Sequence, residues 1–114
     1  GYAAGELKHG PIALVDADMP IAVLAPRDGV FDKTVSNLQE VRARGAKTIV
    51  LSDGQGLREI GAEADCAIAM PSCDAFVAPL LYVLPLQVLA YRVALDRGQD
   101  VDQPRNLAKS VTVE

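Results

Sequence analysis

Tryptophan is absent from this chain, histidine occurs once, and only three tyrosines and two phenylalanines are present. A core must therefore come from Ala, Val, Leu and Ile, within a composition that is 50% hydrophobic. Such a core suits a sheet covered by helices on both faces. Basic runs and basic–aromatic interleaving are missing as well. The net charge is −4 with both signs interspersed, which argues against nucleic acid as the main partner. Two cysteines, Cys66 and Cys73, are too few for a disulfide framework, and with no histidine nearby they are too few for a zinc site. They read as small buried thiols in a reducing compartment. No secretory signal opens the chain, and Gly1-Tyr2-Ala3-Ala4-Gly5 reads as a cut inside a longer protein.

What is present fits one domain, since the chain has 114 residues. Ala75 to Tyr91 is almost wholly apolar and approaches the minimum of about 17 residues for a membrane span. Pro79 and Pro85 interrupt it, and Arg92 and Arg97 follow closely. A buried helix, or one packed on a second subunit, is the reading adopted.

Strands and helices alternate. Ile21–Ala25 is a continuous apolar run between prolines, the pattern of a strand buried on both faces. Phe31, Val35, Leu38 and Val41 share one helical face, and Gly45 stands where a cap belongs. Thr48–Ser52 is a second strand, a short helix runs from about Gly56 to Ala64, and Cys66–Met70 is a third strand stopped by Pro71. A long helix from about Asp74 to Arg97 contains Pro85 and ends at Gly98. The tail 100–114 has no helical stripe and reads as an ordered extension.

This alternation predicts an α/β fold with a parallel sheet, whose ligands bind beyond the carboxyl ends of the strands. Those ends are Pro26-Arg27, Ser52-Asp53 and Pro71-Ser72. Three strands are too few for a complete doubly wound sheet, and the strand at Ile21 would present an open edge.

His9 is the sole group titrating near neutrality when unperturbed, and Gly10-Pro11 sets a turn that presents it at a loop. Lys109 lies in a tail rich in Val, Leu, Pro and Asn, where docking would desolvate the amine and free it as a nucleophile toward carbonyls. Gly54-Gln55-Gly56 falls short of a dinucleotide fingerprint, and Asp16 and Asp18 read as turn acids.

Three segments carry a family likeness: Ala3-Ala4-Gly5-Glu6-Leu7-Lys8-His9-Gly10-Pro11, Asp16-Ala17-Asp18-Met19-Pro20, and the ending Asp100-Val101-Asp102-Gln103-Pro104-Arg105-Asn106-Leu107-Ala108-Lys109-Ser110-Val111-Thr112-Val113-Glu114. Together they resemble the carboxy-terminal part of the glutamine–fructose-6-phosphate aminotransferase (isomerizing) family, the glucosamine-6-phosphate synthases. The likeness covers essentially the whole chain. The tail is specific to that family, whereas Lys8-His9-Gly10-Pro11 is shared more widely among sugar isomerase (SIS) domains.

The resemblance implies a part of a parallel SIS-type (flavodoxin-like) three-layer sandwich, about three strands with flanking helices plus a tail. Residues 1–98 would be the latter portion of a second SIS subdomain, truncated at its start, and 99–114 a tail contributing to the active site. The implied activity converts fructose 6-phosphate and glutamine to glucosamine 6-phosphate and glutamate. By resemblance His9 opens the sugar ring, at the active site of the neighbouring subunit. Lys109 forms a Schiff base with the ketose carbonyl, the Ala108 backbone contacts the sugar, and Lys8 supports substrate binding. The chemistry is coherent: ring opening needs a proton shuttle, and an imine is a better electron sink than a ketone. The family's base, a glutamate, falls on a helix preceding this segment, and its phosphate-binding residues fall in the other SIS subdomain, so this segment alone is expected to be inactive. The implied partners are a sugar phosphate, ammonia from a glutaminase domain outside this segment, and a second subunit in a homodimer. Neither cofactor, metal nor membrane is called for, and the setting is cytoplasmic. Two alternatives stay open: a stand-alone SIS amino-sugar-phosphate deaminase or isomerase, and a non-catalytic sugar-phosphate-sensing SIS module.

Overall fold

A computed structural model describes residues 1–103. Strands β1 (Pro20–Leu24), β2 (Lys47–Asp53) and β3 (Cys66–Met70) form a parallel sheet in that order. Val23, Val50 and Ala67 stand in one row of its register. Helices α1 (Phe31–Arg42) and α2 (Gly54–Ile60) make the crossovers, and α3 (Ala78–Asp96) follows β3. Short 3₁₀ segments cover Ala4–His9, Pro11–Leu14 and Gly61–Glu63. The chain divides into two compact units, Gly1–Tyr82 with the sheet and a second beginning at Val83.

Local chemistry sets the helix ends. The Asp28 carboxylate accepts from Val30 N at 2.9 Å just ahead of α1. Beyond α1, Gly45 takes φ +88°, and the Gly45 and Ala46 amides close onto the Arg42 and Val41 carbonyls at 2.8 and 3.3 Å. Asp53 caps α2, its Oδ1 accepting from Gln55 N at 3.0 Å and Gly56 N at 2.7 Å.

The main core lies on one face of the sheet. Phe31, Leu38 and Val41 of α1 pack with Ala25, Ala46, Val50 and Ile60, and Leu7 and Val15 close over the margin. Among the described residues, the other face is covered where α3 begins, with Ala78 and Tyr82 packed on Leu51 beside Ile49 and Met70. The expected burial of β1 on both faces therefore fails, because Ala22 and Leu24 point to the sparsely covered side and are exposed. The cysteines depart from expectation too. Cys66 and Cys73 are both exposed, one on edge strand β3 and one in the loop after it.

Of the two expectations for the long apolar helix, burial within the chain is met only at its start, and packing on a second subunit stays an expectation. Only Ala78 and Tyr82 of α3 are buried, while Leu80, Leu84, Val88 and Tyr91 are at least half exposed. α3 is long and apolar enough to cross a membrane by length and composition, with Pro85 inside it. It starts four residues later than expected from Asp74, because the Asp74 carboxylate holds Phe76 N at 2.8 Å in a turn.

A polar clamp ties the amino ends of β2 and β3. The Asp65 carboxylate accepts from Thr48 N at 2.8 Å and pairs with Arg42 at 2.8 Å. Arg42 also pairs with Glu63 at 3.3 Å, and the buried Thr48 hydroxyl lies 3.1 Å from the Glu63 carbonyl.

Candidate functional site

The 3₁₀ segment Ala4–His9 packs against α1, and one residue anchors it. Leu7 turns into the core cluster, which leaves the next two side chains, Lys8 and His9, facing solvent. Gly10 then takes φ +147° and ψ −56°, backbone that L side chains rarely adopt. Pro11 opens the next 3₁₀ segment, and Ala13 N donates to the Gly10 carbonyl at 2.9 Å. The motif is thus a sharp corner presenting an exposed imidazole, as the Gly-Pro pair predicts. Lys8 lines an open groove of about 440 Å³ along α1, with Lys33, Asn37 and Glu40 on its far wall.

The carboxyl ends of the strands are tightly bonded among themselves. The Ser52 hydroxyl donates to the Ala25 carbonyl at 2.6 Å and is fully buried. Gly56 lets α2 start against this point, since a Cβ there would collide with Ser52 Oγ and stand 3.1 Å from Phe31 and from Arg27. Arg27 pairs with Glu59 at 3.5 Å. Tyr82 is buried nearby, and its phenol is pushed up by burial and by the charges of Asp53 and Cys73. Asp53 and Ser52 are engaged in holding the scaffold. Asp16 likewise serves a turn, accepting from Asp18 N at 3.0 Å.

The chain leaves α3 through a Schellman turn. Gly98 takes φ +66°, its amide donates to Leu95 O at 2.8 Å, and Gln99 N donates to Ala94 O at 2.9 Å. Asp100 Oδ1 then accepts from Asp102 N at 2.9 Å and Gln103 N at 3.2 Å. Sequence reasoning passed over Asp100, although an Asp two residues after a helix-ending glycine is a turn signal. Of the predicted site residues, Lys8 and His9 are adjacent on one corner, while Ala108 and Lys109 lie outside the described residues. Among the described residues, no group of three or more His, Cys, Asp or Glu side chains is placed to hold a metal ion.

Comparison with known proteins places this geometry. The SIS domain model matches residues 1–97. The chain belongs to the SIS domain family. This SIS domain is 58% identical over 114 residues to a glutamine–fructose-6-phosphate aminotransferase (isomerizing) of Zymomonas mobilis. It is 60% identical over the same length to the enzyme of that name from Bradyrhizobium diazoefficiens. The chain spans 19% of the length of each of these relatives. A solved structure, the C-terminal domain of glucosamine-fructose-6-phosphate aminotransferase from Francisella tularensis, superposes with a TM-score of 0.84 at 47% identity. That match covers 90% of this chain and 29% of the other. The α/β fold with three parallel strands and flanking helices, expected from sequence, is the fold of this neighbour.

Proposed function

We propose that this SIS domain works as part of a glutamine–fructose-6-phosphate aminotransferase (isomerizing), supplying His9 to open the sugar ring and Lys109 to form an imine with the ketose carbonyl. The observation that carries the reading is the identity of 58–60% to enzymes of that name along all 114 residues, tail included. The corner at Gly10 supports it, because an exposed imidazole at a sharp turn is free to reach a substrate held by other elements. Lys8, beside it on the groove, adds positive charge suited to an anionic sugar phosphate, and the Ala108 backbone contacts the sugar. The other participants are ammonia released from glutamine elsewhere in the protein and a second subunit. The enzyme works in the cytoplasm.

The test uses the whole protein that carries this segment. Lys109→Ala is expected to abolish glucosamine 6-phosphate synthesis and borohydride trapping of fructose 6-phosphate. Undiminished synthesis overturns the assignment. A sensing module would give no covalent label in the unaltered protein, and a stand-alone deaminase would not consume glutamine.

A further inference from the structure

The segment that carries His9 is held by packing more than by its own backbone. Ala4–His9 is a 3₁₀ helix of six residues whose first turn has no side-chain cap. Hydrogen bonds in such a helix have poorer geometry than those of an α-helix, and side chains three apart stand on one face. Ala4 and Leu7 are such a pair, and they are the two residues of the segment that are not exposed. Ala4 offers a single methyl group. Leu7 packs on the core cluster that holds Phe31, Leu38 and Val41 of α1. Among the described residues packed on that cluster, Leu7 stands nearest to His9 in the chain, two positions away.

We propose that Leu7 is a positioning residue for His9. Its seat on the cluster sets where the exposed imidazole stands. The role rests on the reading of His9 as the group that opens the sugar ring. Opening breaks the bond between C2 and the ring oxygen, with the C2 hydroxyl proton lost and one proton gained by the ring oxygen. A group that moves these protons must come within about 2.6–3.2 Å of the oxygens concerned. A misplacement of about 1 Å can cost on the order of 10²-fold in rate. Truncating Leu7 loosens the segment on α1 and lets the imidazole drift from that distance.

The test is a double-mutant cycle in the full-length protein: Leu7→Ala, His9→Ala and both together. The readouts are kcat for synthesis and the rate of covalent labelling by borohydride with fructose 6-phosphate. Sugar rings also open unaided in water, so slow labelling persists without His9 and the cycle can be closed. Leu7→Ala is expected to lower kcat and slow labelling by about tenfold, with KM moved less than about twofold. In the His9→Ala background the same substitution is expected to slow labelling by less than about twofold. Leu7→Met conserves volume and is expected to stay within about twofold of the unaltered protein. If Leu7→Ala does not fold, Leu7→Val carries the same cycle with an expected slowing of about threefold. Equal slowing in both backgrounds overturns the positioning role, as does labelling at the unaltered rate in the Leu7 variants. Labelling and synthesis at the unaltered rate in His9→Ala overturn the ring-opening reading, and this role with it. If the unaltered protein takes no label, the imine reading fails and kcat closes the cycle in its place.

Discussion

β2 and β3 are both short, apolar and parallel, yet they live in opposite surroundings. β2 buries Thr48, Val50, Leu51 and Ser52, whereas the first four residues of β3 are exposed. The difference lies in the layers rather than in the strands. α1 lays Phe31, Leu38 and Val41 over one face of β2, and the start of α3 covers its other face at Leu51. β3 is an edge strand, and Ile68 on its α3 side remains 37% exposed. Strand identity is thus a property of the local sequence, while burial depends on which neighbour arrives.

The sharpest way to break this contrast is on the packed side. Leu38→Ala empties a position only 1% exposed and is expected to cost about 2–5 kcal/mol in urea unfolding. Gly56→Ala should cost about 1–3 kcal/mol, because its Cβ must displace Ser52 Oγ, which is held by its bond to Ala25. Thr48→Val keeps the shape and removes the hydroxyl from the clamp, for an expected loss of about 1–2 kcal/mol. At the exposed extreme, Val88→Ser on α3 should change stability by no more than about 0.5 kcal/mol. A loss near that of Leu38→Ala would mean that this face is covered in solution.

The clamp also predicts a pH response. Bonds from the Thr48 amide and hydroxyl hold the Asp65 carboxyl below its ordinary 3.8, and Arg42 adds to this. The folded value is the lower one, so on acidification the unfolded chain takes up the proton first. The contribution is present above the unfolded value and is lost as pH falls through the folded value. Asp65→Asn should flatten the decline in stability below about pH 4, read by acid titration of the unfolding midpoint.

Much of the scaffold was legible because punctuation residues mark it. Pro71 ends β3 where expected, and Gly45 and Gly98 end helices with positive φ. The errors have physical causes. The second helix was read as Gly56–Ala64 but runs Gly54–Ile60, because Asp53 caps it early and Gly61, at φ +58°, turns the chain out. The cysteines were read as buried because their type is usually so, yet Cys66 sits on an uncovered edge. α3 was read as buried or packed on a second subunit, and composition alone cannot reveal where a covering layer comes from. At the site, the Gly10 corner was readable because glycine permits backbone that other residues avoid and proline fixes its own φ. The roles of Lys8, His9, Ala108 and Lys109 came from family likeness, since one histidine and a tail lysine carry no chemistry by spacing alone.

The edges of the sheet have a practical consequence for handling the molecule. Among the described residues β1 and β3 each pair on one side only, and a strand edge left uncovered templates sheet growth between molecules. Pro20 starts β1 and Pro26 follows its end, while Pro71 closes β3. A proline cannot donate to an incoming strand, so each run available for templating stays short. Shelf life in concentrated stocks should therefore depend on those prolines, and replacing Pro26 or Pro71 would show first as turbidity during storage rather than as a change in folding.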